Sequence, residues 1–444
     1  MLLTETTGHA RGTAGYRRLV GAVWAAGVGS FTLLYSPQAV LPLISDDLGV
    51  GPSTAALVVS VATGTLALSL IPMSALAQRV GRTRLMTLAL TAAALLGLLA
   101  PLAPTVEQLI LIRGLQGVAI AGVPALAMAH LSEEVEPGAV GGAMGLYVAG
   151  NTMGGLAGRL LSSSVADLAG WRAGLAAVGV LALLCVVAFR LLLPAPTAVP
   201  EPTTPDRMRR HLAAHLRDPG VRRLCLASFV LMSAFVTVYN FLSYRLLQPP
   251  FGLSQTLVGL VFVTYLAGTL TAPATGSLGD RVGRRSVLLG SVLLGLTSIT
   301  LTLSDVLPVV LLGLVLFTMG FFGAHTCASG MVANRARTGR SQASALYLLA
   351  YYAGSSVGGW AGGLAYEAGD WFGVVLYVGG LMLAALLIAL LLARTPPLAA
   401  APPAEAVQVS VSPSRTGPVW SQPCQLTTAT STGSARCLGP TRQV

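Results

Sequence analysis

Apolar stretches of about 18 to 28 residues follow one another through this chain, near 18–44, 54–77, 85–103, 106–130, 139–166, 172–193, 221–247, 255–279, 286–303, 306–332, 342–366 and 371–393. Each is long enough to cross about 30 Å of hydrocarbon, where a helix satisfies its own backbone polar groups. A soluble globular chain carries about 25% charged residues. Here the charged share is 10% and the hydrophobic share 54%, with a mean hydropathy of +0.74. The expected fold is an all-α membrane protein with twelve transmembrane helices.

The chain also repeats itself. Val80-Gly81-Arg82 returns as Val282-Gly283-Arg284, and Tyr147, Gly154, Gly158 and Trp171 return as Tyr347, Gly354, Gly358 and Trp371. Duplicated helical units are how many carriers are built. The repeat divides the chain into an N-terminus (1–17), an N-terminal six-helix bundle (18–193), a linker (194–220), a C-terminal six-helix bundle (221–393) and a tail (394–444). Residues 194–205 are too proline-rich for a helix. Arg207 to Arg217 form a basic segment that can lie on anionic headgroups or stay solvated. From Pro396 the tail is rich in Pro, Ser and Thr and is expected to be disordered.

All 27 basic residues are arginine. They fill alternate loops: Arg11, Arg17 and Arg18; Arg79, Arg82 and Arg84; the run from Arg190 to Arg223; Arg281, Arg284 and Arg285; Arg335, Arg337 and Arg340. The other loops hold Asp46, Asp47, Glu107, Asp305, Glu367 and Asp370. The positive-inside rule places the arginine loops, and with them both termini, in the cytoplasm. The pI near 10 is thus a topology signal, and no soluble domain is present to bind nucleic acid. Cys185, Cys225 and Cys327 are isolated within helices, and Cys424 and Cys437 lie in the tail without metal-ligand spacing, so no disulfide, metal or cofactor is expected.

Two loops carry a shared motif, S-A-L-A-Q-R-V-G-R-T-R from Ser74 to Arg84 and G-S-L-G-D-R-V-G-R-R from Gly276 to Arg285. The turn needs a glycine, and the arginines hold the loop in the cytoplasm. Both resemble the signature of the major facilitator superfamily, over residues 17–393. The strings L-S-E-E-V (131–135), G-L-Y-V-A-G-N-T-M-G-G-L-A-G-R (145–159) and Y-N-F-L-S-Y-R (239–245) look like its bacterial inner-membrane efflux branch, grouped with drug:proton antiporters and arabinose-efflux-like permeases. The resemblance implies two pseudo-symmetric six-helix bundles, a central cavity, alternating access and a monomer. It also assigns gating to Gln78, Arg79, Gly81 and Arg82 and to Asp280, Arg281, Gly283 and Arg284. Gln78 departs from the family's usual Asp, and Gly154 is followed by Gly155 where the antiporter motif often has proline.

Gly150, Gly154 and Gly158, like Gly354, Gly358 and Gly362, stand four apart and let another helix approach closely. They are read as packing sites and, from the resemblance, as a sliding seam between the bundles. Arg113 opens a string similar to the family's proton-coupling motif; its alternative is to tether backbone carbonyls of the first and fifth spans. An arginine at that depth should face protein or a water-filled cavity. His325 is a deep histidine that could carry a proton or simply be a satisfied core residue. With Gln38, Gln116, Asn240 and Tyr35 these make up the candidate solute and proton pathway, better suited to a neutral polyol-like or weakly anionic solute than to a permanent cation. Arg159 and Arg245 are expected near the periplasmic ends, snorkelling.

No nucleotide-binding loop and no constellation of an enzyme is present. The expected function is secondary export of a small organic solute across the bacterial cytoplasmic membrane, driven by protons. An importer or facilitator of the same fold and, more remotely, a membrane sensor are the alternatives. If His325 carries the proton, His325→Gln abolishes pH-driven transport; transport that stays intact removes it from the pathway.

Overall fold

The computed structural model describes residues 8–195, 205–336 and 338–393; most of the proline-rich linker, Arg337 and the tail with Cys424 and Cys437 lie outside them. The described residues are helical almost throughout. The helices are α1 (Ala14–Tyr35), α2 (Leu41–Leu48), α3 (Pro52–Val80), α4 (Arg82–Leu99), α5 (Val106–Ala121), α6 (Pro124–Glu134) and α7 (Val140–Leu192). They continue with α8 (Pro205–Arg217), α9 (Pro219–Leu247), α10 (Gln255–Val261), α11 (Tyr265–Val282), α12 (Arg284–Leu301), α13 (Leu307–Arg335) and α14 (Arg340–Ala393). Residues up to α7 make one bundle and those from α9 the other.

Ten described helices are long and apolar enough to cross a membrane, where the sequence leads one to expect twelve. The difference lies in α7 and α14, with 53 and 54 residues, each of which holds two of the expected spans. Helix α7 breaks at Gly170 (φ 81°) and α14 at Gly369 and Asp370, where Asp370 has φ 48°. After each break the helix packs back on itself, Gly174 against Ser162 and Gly373 against Ala365. Two antiparallel arms thus meet with almost no loop between them.

Local signals start and stop the helices. Thr13, Thr105, Asp218 and Ser254 cap α1, α5, α9 and α10 by accepting N–H groups of the first turn. Both motif loops turn on a glycine, Gly81 at φ 91° and Gly283 at φ 93°, a conformation that side-chain-bearing residues rarely adopt. Asp218 also receives Arg335 through Nε at 2.7 Å and Nη2 at 3.1 Å. Partial burial pushes its carboxyl up, but these bonds and the Val221 N–H outweigh that and hold it below the usual carboxylate range. The basic segment is a helix, α8, and it docks on the C-terminal bundle through His215 Nε2 and the Gly339 carbonyl at 3.1 Å.

The glycine rows pack within each bundle, which corrects the expected seam between bundles. A Cβ at Gly150, Gly154 or Gly158 would meet Trp24, Val28 or Thr32 of α1, and one at Gly354, Gly358 or Gly362 would meet Phe229, Ser233 or Thr237 of α9. Thr32 and Ser233 lock the two contacts by donating to the carbonyls of Gly154 (2.9 Å) and Gly354 (3.0 Å). The bundles instead meet along the neighbouring face of α14, where Gly359 lies on Ser60 and Gly363 on Ser53 of α3. The glycine doublets 358–359 and 362–363 therefore serve two helices, one on each side. Gly154→Leu should cost more than about 1–3 kcal/mol through overpacking against backbone, whereas Gly145→Ala, a helix-interior glycine with open space around it, should leave the melting temperature of purified protein unchanged or raise it slightly. Equal melting temperatures for the two variants would contradict this packing.

Candidate solute site and gate

The centre of the molecule is organised by a break in the first span. Pro37 and Pro42 carry no N–H, and between α1 and α2 the chain winds as a 3-10 turn, Ser36–Val40. Carbonyls left without helical partners at membrane depth cost several kcal/mol each. Side chains from four other helices take them up. Arg113 of α5 donates Nη1 to Leu33 O (2.9 Å) and Nη2 to Leu34 O (2.6 Å), and Ser162 of α7 donates to Ser36 O (2.9 Å). Ser243 of α9 donates to Gln38 O (3.4 Å) and Gln255 of α10 to Ala39 O (2.5 Å). Two of these donors come from each bundle.

The same turn aims Gln38 into the middle. Its Nε2 donates to Asn240 Oδ1 of α9 at 2.7 Å, and its Oε1 accepts Arg159 Nε at 2.9 Å and a second bond from Nη2. Arg159 further donates to Gly155 O (2.7 Å) and to the Tyr265 hydroxyl (3.1 Å). Its guanidinium lies 4.4 Å from the Tyr265 ring centre, 5.0 Å from Tyr35 and 5.3 Å from Phe262. It is 2% exposed. From Gly170 it stands about 16 Å along the helix at ~1.5 Å per residue, roughly the middle of a ~30 Å core. The expectation that Arg159 snorkels is corrected: neutral oxygens and aromatic rings satisfy it in place.

At the acidic end, two carboxylates from corresponding arms reach across to the opposite bundle. Asp167 at the end of the first arm of α7 accepts the Thr256 N–H (3.3 Å) and hydroxyl (2.7 Å) in the first turn of α10. Glu367, in the repeat-related place on α14, accepts the Ser53 N–H (2.9 Å) in the first turn of α3. Negative charge at a helix N-terminus is favourable, weakly so where exposed. Ser45 and Tyr244, and Ser163 and Gln255, add further cross-bundle bonds. At the arginine end, the motif residues bond inside their own bundles: Arg82 to Glu133, and Arg284 to Asp280 at 3.0 Å.

Comparison with known proteins gives these features a setting. Residues 23–246 and 224–435 match the model of the Major Facilitator Superfamily. The chain belongs to that family. It is 36% identical to the MFS-type transporter YybF of Bacillus subtilis (strain 168) over 87% of this chain and 96% of that one. It is 37% identical to the inner membrane transport protein YnfM of Escherichia coli (strain K12), covering 85% and 91%. The structure resembles the inward-facing, unoccupied form of a bacterial homolog of the human lysosomal transporter Spinster, with TM-score 0.74, 16% identity and coverage of 86% and 97%. It also resembles the nucleoside transporter NupG, with TM-score 0.68, 16% identity and coverage of 84% and 99%. This facilitator-family chain is a membrane transporter rather than an enzyme.

Within the facilitator fold, the sequence-predicted residues fall into separate places. Gln38, Asn240 and Tyr35 meet at Arg159. Arg113 and Gln116 lie together elsewhere: Arg113 bonds Val58 O (2.9 Å) of α3, the two α1 carbonyls and Gln116, whose own amide donates to Ala93 O (2.8 Å). Arg113 thus ties α1 to α3, where α1 and the fifth span were the expected pair. His325 of α13 holds the Tyr347 hydroxyl through Nδ1 at 3.0 Å, amid Phe321 and Tyr351, so it shares no partner with Arg113. Gln78 is exposed. Arg159, Tyr265, Asp167 and Glu367 were missed as a set; the available signal was that the repeat replaces Arg159 by Gly359.

Each of the paired contacts is exposed and weak singly. Combined Asp167→Asn and Glu367→Gln should therefore raise exposure of the acidic end, read as faster impermeant-maleimide labelling of a Ser163→Cys variant than in the same variant with both carboxylates kept. An unchanged labelling rate would exclude these carboxylates from the gate.

Proposed function

We propose that this facilitator-family chain exports a small organic solute across the bacterial cytoplasmic membrane by alternating access, coupled to protons, as a monomer with both termini in the cytoplasm. The observation that carries this reading is the closure at the acidic end. Two bundles joined there by short polar bonds, above a polar centre at mid-membrane, have the form of a carrier closed towards one side. The arginine loops support assigning the other side to the cytoplasm, and the inner membrane relative YnfM supports the location.

In this reading Gln38, Asn240, Tyr35 and Arg159 meet the solute. The motif loops around Arg79, Gly81, Arg82, Arg281, Gly283 and Arg284 steady each bundle at the cytoplasmic end. Arg113 and Gln116 keep the broken first span in shape, and the glycine rows keep each bundle rigid so that it moves as a body. Asp167 and Glu367 hold the closed end through their bonds to helix N-termini of the opposite bundle. His325, in the aromatic wall of α13 and α14, is the titratable group assigned to the proton route.

Proteoliposomes with an imposed pH gradient and a pH-sensitive dye should show proton movement that depends on added solute when neutral, anionic and cationic organic solutes are screened. Solute uptake with no proton movement would replace coupled export by facilitated diffusion. Silence across all three classes would contradict transport of small organic solutes.

A further inference from the structure

Arg159 is a buried cation with no acid among its partners in the described residues: its hydrogen-bond partners are an amide oxygen, a backbone carbonyl and a phenol. Burying an uncompensated charge at membrane depth is costly, and such residues persist where a function needs them. The repeat does not keep it: the corresponding residue is Gly359, which lies against Ser60 and Asn240.

The surroundings are short of acceptors. Asn240 Nδ2 and Ser60 Oγ are buried without hydrogen-bond partners. Both lie against Gly359, 2.9 and 2.8 Å from where a Cβ would stand, a close approach that the glycine permits. Asn240 is joined through Gln38 to Arg159, so these unused donors and the guanidinium form one continuous polar strip. On the guanidinium, Gln38 Oε1 accepts from both Nε and Nη2, and the Tyr265 hydroxyl accepts a further bond from Nη2. That edge is the fork that a carboxylate grips with two oxygens. Beside it stands a wall of rings: Tyr265 against Phe235 at 5.1 Å, Phe235 stacked on Phe321 at 3.9 Å, and Tyr351 beyond Phe321 at 6.4 Å.

We propose that the Nε–Nη2 edge of Arg159, closed in this state by the Gln38 amide oxygen, binds the anionic group of the transported solute, an organic monoanion with an aromatic body. The anion displaces Gln38 Oε1, its second oxygen faces the Asn240 and Ser60 donors, and its ring lies on the Tyr265–Phe235 wall. Because Gln38 is also bonded to Asn240 of the other bundle, displacing it loosens a cross-bundle bond at the moment of binding. This assignment rests on the transport reading and adds the solute's charge to it.

The test uses three probes of one shape, benzoate, benzamide and benzyltrimethylammonium, with the full-length protein in nanodiscs. Benzoate alone should raise the melting temperature saturably. Arg159→Gln should weaken benzoate binding about ten- to hundredfold, the range of a charged hydrogen-bonded contact, and Arg159→Lys should restore part of it. Arg217→Gln, a charge removal on the exposed end of α8, should change nothing. Equal stabilisation by benzamide, no stabilisation by benzoate, or full benzoate affinity in Arg159→Gln would each overturn the proposal. Should Arg159→Gln fail to fold, a folded Arg159→Lys that binds benzamide as well as benzoate overturns it in the same way. Proteoliposome flux separates the two claims. Benzoate binding with no flux of any solute leaves the anion site standing and removes the transport reading, while flux of neutral solutes that survives Arg159→Gln does the reverse.

Discussion

Everything at the centre of this molecule depends on five residues that refuse to be α-helical. The turn Ser36–Val40 is forced by Pro37 and Pro42, and its carbonyls would be untenable in a bilayer if nothing else bonded them. Arg113, Ser162, Ser243 and Gln255 supply the donors, two from each bundle. The kink is therefore a joint held from both sides. Because it is made of single hydrogen bonds, it can change partners more readily than packed helices can. The Gln38 side chain, carried on that turn, couples the buried Arg159 of one bundle to Asn240 of the other.

Around this joint the strengths of the contacts divide by location. Within a bundle, glycine rows bring backbones together and hydroxyls bridge them, as between Thr32 and Gly154 or Ser233 and Gly354. Those contacts are continuous and costly to disturb. Between bundles, close approach is confined to the α14–α3 face at Gly359 and Gly363, and the acidic end adds Asp167 and Glu367 at helix N-termini and a few neutral pairs. A carrier needs this contrast: rigid bodies and a closure worth only a few kcal/mol, so that ligand or proton binding can shift the balance. The twofold repetition supplies one latch from each half.

The helices, the repeat and the loop glycines were legible in the sequence, because length, hydropathy and the Val-Gly-Arg recurrence are local properties. Gly81 and Gly283 take the positive φ that their motif demands. What pattern alone could not give was partner choice. Adjacent glycines 358 and 359 look alike in sequence, yet one faces α9 within the bundle and the other faces α3 across it. Arg159 looked like an end-of-helix residue because the span was expected to stop near 166; the helix instead runs on to the break at Gly170, which puts the arginine at mid-depth. Arg113 is buried. Its bonding to α1 and α3 could be known only once the Pro37 break had freed the carbonyls it meets.

The central claim is that two rigid bundles rock about the Ser36–Val40 joint, opening one end as the other closes. Spin-label distances test it most directly, with one pair across the acidic end (Leu168→Cys and Leu257→Cys) and one across the arginine end (Gly138→Cys and Ser341→Cys), all exposed positions. The account predicts reciprocal change: neutralising Asp167 and Glu367 lengthens the first distance and shortens the second. Two distances that stay fixed, or that lengthen together, would contradict it.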